Sequence, residues 1–124
     1  MNRLLAPNYT ILARSEDPQN VFVGSPALAK LPSGRLIFTY EWFRGHPLKE
    51  KVPEQCETLV SDDDGVTWQP GGRTDLMWAS PCVVDETLYL IGNLRGSRDI
   101  AICRSTDSGA NWSPPAVLFE GRYT

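Results

Sequence analysis

The chain has 124 residues, enough for one modest domain, and is 41% hydrophobic and 22% charged, ordinary values for a globular chain. A net charge of −3 and a pI near 5.1 give no reason to expect nucleic acid or an anionic membrane as partner. No apolar run approaches the roughly 18 residues that cross a bilayer. The opening MNRLLAPNYTILARSEDP lacks the apolar stretch of a signal peptide, so a cytoplasmic protein or a trimmed mature chain is expected.

Ten glycines and ten prolines predict many turns and short elements. Residues 8–14, NYTILAR, read as a stray strand, either from an incomplete earlier unit or closing a last one. After them the apolar pattern is that of strands, and no window carries a helical period. Four strands, A to D, are expected at 26–31, 35–42, 56–61 and 67–70. Four more are expected at 81–85, 87–94, 100–105 and 111–119. RLIFTYEW and TLYLIGNL are the two B strands.

The second set repeats the first. Ser25-Pro26 and Ser80-Pro81 open the units 55 residues apart, and the acidic turns SDDDGVTW and STDSGANW lie 44 apart. The longer B–C loop of the first unit, FRGHPLKEKVPEQ against RGSRD, absorbs the difference. Four short strands per unit at this period are the pattern of a β-propeller blade. The expected fold is therefore all-β, with blade one at about 21–72 and blade two at about 78–120. Two blades do not close a ring. The chain is expected to be an excerpt (residues 1–124) of a longer, six-bladed propeller, or else to associate with copies of itself.

The cysteines, Cys56, Cys82 and Cys103, lie 26 and 21 residues apart, with no CxxC. That spacing is not a zinc pattern, and an odd count fits buried thiols better than a disulfide framework. No cofactor is expected.

The acidic turns align as Ser61-x-Asp63-x-Gly65-x-Thr67-Trp68 and Ser105-x-Asp107-x-Gly109-x-Asn111-Trp112. A short carboxylate that accepts backbone N–H groups, a glycine for φ > 0, and a tryptophan covering the hairpin are all turn-building parts. A calcium loop would need its oxygen ligands at both copies. Asp62 and Asp64 become Thr106 and Ser108, so no metal is expected here.

Five fixed positions at one spacing, found twice, make this the Asp-box. From about residue 20 to 119 the chain resembles the sialidase (neuraminidase) superfamily of Asp-box propellers, also called BNR-repeat proteins. The resemblance implies a glycosidase acting on a sialoside or other carboxylated sugar, with its site on the face opposite the boxes. It also implies three carboxylate-binding arginines, the first in an R-I-P motif, with a Tyr–Glu nucleophile pair and an Asp acid/base. Bidentate recognition is the physical reason for arginine. R-I-P-A-L aligns with Gly24-Ser25-Pro26-Ala27-Leu28, so the first arginine is replaced by Gly24.

The B–C loops and the crossover between units supply the candidates. Glu41 is the acid/base candidate and His46 a second one. Arg95 and Arg98 are candidates to grip an anionic sugar, and Trp42 and Trp78 to stack on sugar rings or to pack between blades. Asp75 is a sugar-binding candidate or the partner of Arg73. Two rivals to the glycosidase are a non-catalytic Asp-box propeller that binds carbohydrate or protein, and a self-associating blade pair.

Overall fold

A computed structural model describes residues 6–44, 55–95, 97 and 99–121. Of the candidates, His46 and Arg98 lie outside these residues. No helix occurs among the described residues. Eight strands form two four-stranded antiparallel sheets: β1 (Val21–Lys30), β2 (Leu36–Arg44), β3 (Cys56–Ser61) and β4 (Gln69–Thr74), then β5 (Leu76–Val84), β6 (Thr87–Leu94), β7 (Ile100–Ser105) and β8 (Ala116–Phe119). In both sheets the spatial order is the sequence order, and Asp75 alone connects them.

The B and C strands fall within a residue or two of expectation. The A strands begin five residues earlier, at 21 and 76, because the prolines that looked like strand starts are interior. β1 and β5 are edge strands, where a missing N–H is tolerated. Each carries a bulge, between Gly24 and Ala27 in β1 and between Met77 and Ser80 in β5. The bulges hold Ser25 at φ 51° and Trp78 at φ 49°. The ladders also correct the repeat alignment. Leu36 pairs with Ser61 as Leu88 pairs with Ser105, which matches Glu41 with Asn93 and therefore Gly24 with Met77. Ser25 thus corresponds to Trp78, not to Ser80. β8 is shorter than expected because Pro114 and Pro115 cannot donate to a ladder.

The sheets stack through β5, which packs on β1, β2 and β3. The seam between them is the core. One cluster joins Cys56 to Leu76, Ala79, Leu90, Ala101 and Cys103, and a second joins Leu31, Ile37, Val60 and Leu88. Burying a leucine or isoleucine there contributes about 1.5–3 kcal/mol. Cys56 and Cys103 are buried free thiols, while Cys82 is half-buried.

Alternation along β2 sends Ile37, Thr39 and Glu41 into the seam and Phe38, Tyr40 and Trp42 to the outward face. These three rings form a ladder with centroids 5.8 and 5.9 Å apart, and Trp68 adds an edge contact at 6.1 Å. Residues 8–14 form no strand. They cross this outward face, where Thr10 to Ala13 border Phe38 and Tyr40 around a cavity of about 320 Å³.

Candidate functional site

Antiparallel order divides the molecule into two ends. One carries the A–B turns and the acidic C–D turns. The other carries the B–C loops and the Asp75 crossover.

The acidic turns are wired almost identically. Ser61 Oγ donates to Asp63 Oδ1 (2.8 Å) and accepts from Gly65 N (2.9 Å); Ser105 does the same with Asp107 (2.9 Å) and Gly109 (2.8 Å). Asp63 Oδ1 and Asp107 Oδ1 each accept the backbone N–H of the residue four positions on, at 2.8 Å. Their Oδ2 atoms take the Thr67 hydroxyl (2.6 Å) and the Asn111 amide (2.8 Å). Asparagine can replace threonine because both present a donor. These bonds hold both carboxyls below the usual range, the Thr67 and Asn111 side-chain bonds contributing most. Gly65 and Gly109 adopt φ 85° and 89°.

The flanking acids also have partners. Arg35 clamps Asp62 with two bonds, of 2.6 and 2.7 Å, and reaches Ser108 O in the second turn at 3.3 Å. Lys30 pairs with Asp64 at 3.3 Å. Every acid of the run at 62–64 is committed to structure, and no group of three or more His, Cys, Asp or Glu able to hold a metal occurs among the described residues.

At the opposite end, Glu41 is not at the mouth of a cleft. Its residue is fully buried in the seam, because its place on the Ile37–Thr39 face points it at β5. Oε1 accepts from Ala79 N at 3.0 Å, while Oε2 is buried without a hydrogen-bond partner. Desolvation raises its pKa, opposed by the backbone of Ala79 and Trp78 and by the Arg95 charge. Arg95 is half-buried beside the crossover, its N–H bonded to Asp75 O at 3.1 Å. Asp75 does not pair with Arg73, whose guanidinium bonds Glu57 at 2.8 Å. Its side chain is exposed.

Trp78 is 60% exposed on the edge strand β5. Trp42 is half-buried, edge-on to Tyr40, and borders an open groove of about 420 Å³ with Arg14, Glu16 and Asp17. Trp42 therefore faces outward, while Trp78 and Arg95 flank the crossover. A Cβ at Gly24 would lie 2.9 Å from the Phe43 ring, so an arginine there would have to displace that ring.

Sequence reasoning missed Gly71 and Gly72. A Cβ on Gly71 would meet Gly109 O at 2.6 Å, and one on Gly72 would meet Trp112 Cδ1 at 2.6 Å. Paired glycines inside a strand are a readable sign that another backbone comes close.

Neither a protein-family model nor a curated protein matches the chain. Solved structures do. Trypanosoma rangeli sialidase in complex with sialic acid is 20% identical with a TM-score of 0.53, over 68% of this chain and 13% of that one. Penicillium chrysogenum alpha-L-arabinanase complexed with arabinobiose is 22% identical with a TM-score of 0.56, over 85% of this chain and 34% of that one. The chain thus spans 13% and 34% of the length of these two propeller glycoside hydrolases. Their likeness establishes the architecture: the two sheets have the fold of blades of a sialidase-like β-propeller.

Proposed function

We propose that this chain supplies sugar-recognition surface to a sialidase-like propeller glycosidase, and that its two acidic turns are Asp-boxes with a structural role. The observation that carries the reading is Trp78, an exposed indole on the edge strand β5 at the end away from the turns. An exposed aromatic face beside polar groups suits a sugar ring, whose C–H faces pack on it. Arg95 and Asp75 supply polar contacts at the same end, and Trp42 a second aromatic surface across the outward groove. Glu41, sealed in the seam, is a poor acid/base. Bond cleavage is assigned to residues other than those described.

The absence of an arginine at Gly24 favours a neutral glycan over a sialoside. A non-catalytic carbohydrate-binding propeller is the second reading, supported by the burial of Glu41. Self-association stays a third, to be read by sedimentation; residues 8–14 already lie on the outward face of the first sheet.

The test measures binding and turnover of sialosides and arabino-oligosaccharides by the chain and by the intact gene product. Binding that falls about fivefold or more on Trp78→Ala supports recognition at this end. Turnover by the intact product selects the enzyme, and binding without turnover selects the module. Binding unchanged by Trp78→Ala overturns the assignment.

A further inference from the structure

A tryptophan in the left-handed region is uncommon, since its Cβ crowds the backbone there, and an observed outlier asks what holds it. Trp78 has φ 49°, yet its indole is 60% exposed and does not sit in the seam clusters. Packing of the side chain therefore does not account for the conformation. The next amide does have a specific partner. The Ala79 N–H bonds Glu41 Oε1 at 3.0 Å. Glu41 reaches it from 38 residues away in the other sheet.

We infer that Glu41 is a positioning residue, which locks the β5 bulge by accepting the Ala79 amide and so presents the Trp78 indole as a platform for a sugar ring. The bulge needs such an acceptor. Its extra residue interrupts the ladder between Met77 and Ser80, and Ala79 is buried, so its N–H would otherwise lack a partner away from water. A buried carboxylate is costly unless it is hydrogen-bonded; the Ala79 amide and the nearby Arg95 charge offset part of that cost, and Oε2 stays without a partner. At the matched position of the second sheet stands Asn93, and among the described residues no further sheet follows on that side. The sugar half of this inference rests on the function proposed above; the lock itself does not.

The experiment separates the two. Amide hydrogen exchange at Ala79 is measured by NMR in the full chain, in Glu41→Gln and in Glu41→Leu. Gln keeps an acceptor oxygen and should preserve protection, whereas Leu should speed exchange at Ala79 about tenfold or more while amides of β7 keep theirs. Acrylamide quenching of Trp78, read as the difference from Trp78→Phe, should change in the Leu variant only. If Leu prevents folding, the unsubstituted chain still decides: the Ala79 amide shift must follow the Glu41 carboxylate on titration. Arg95 and the Cys56 thiol also face it, and burial pushes the thiol up to about 12, so that it stays protonated across that range. Unchanged Ala79 exchange in a folded Glu41→Leu, or an Ala79 amide shift indifferent to Glu41 titration, overturns the lock. With the lock intact, arabinobiose or sialic acid binding that ignores Trp78→Ala overturns only the sugar platform.

Discussion

The two acidic turns share their internal hydrogen bonds but not the fate of their tryptophans. Trp68 Nε1 donates to Gly65 O within its own turn at 3.0 Å. Trp112 Nε1 crosses the seam to Thr58 Oγ1 at 3.0 Å, 54 residues away. Its turn is pinned further by Gly72 N, which donates to Gly109 O at 2.9 Å. Gly65 is half-buried and Gly109 buried. The motif sets the turn, and the adjoining sheet decides what the indole does. Where β4 approaches the second turn, the tryptophan becomes a clamp between blades. At the first turn no sheet stands on that side among the described residues, and Trp68 joins the outward aromatic ladder instead.

Unequal substitutions should expose that difference. Trp112→Ala removes packing against both seam clusters and leaves the buried Thr58 hydroxyl without its donor. It should cost about 3–4 kcal/mol in urea unfolding. Trp68→Ala removes a half-buried ring that bonds only its own turn and should cost about half as much. Equal losses would contradict the clamp.

Glycines give a second contrast. Gly72→Ala drives a methyl against the Trp112 ring, with Cβ 2.6 Å from Cδ1, and should cost about 2–3 kcal/mol. Gly34 has φ 93° and open space around its Cβ position, so Gly34→Ala meets only the backbone penalty of about 1 kcal/mol. Thermal melts of the pair rank them.

The smallest effect is that of acid. Asp63 and Asp107 are both held below the usual aspartate value of 3.8. A depressed folded pKa contributes stability that is present above the unfolded value and is lost as pH falls through the folded one. Both turns should therefore weaken only below about pH 4. Asp63→Asn and Asp107→Asn should each flatten that acid limb in a pH series of melts. A limb that is unchanged in both variants would contradict the turn wiring.

Much of this was legible in the sequence. The two copies of the acidic turn, the B strands and the unit count all follow from short-range patterns. What escaped was long-range. Alternation in RLIFTYEW groups Ile37, Thr39 and Glu41 on one face and Phe38, Tyr40 and Trp42 on the other, but only the position of β5 shows which face is the seam. Glu41 therefore looked like a rim carboxylate. The bulges hid behind Pro26 and Pro81, which resemble strand starts unless the strand is known to be an edge. The repeated Ser-Pro pair then shifted the alignment by two residues, and Trp78 went unrecognised as the counterpart of Ser25.

The central claim is that recognition belongs to the crossover end and structure to the acidic-turn end. Amide and indole shift mapping of the full chain on titration with arabinobiose, and separately with sialic acid, tests it most directly. Shifts concentrated at Trp78, Asp75 and Arg95, with Gly65 and Gly109 unmoved, are the predicted result. Shifts centred on Gly65 and Gly109, or none at Trp78 while either sugar binds, would contradict it.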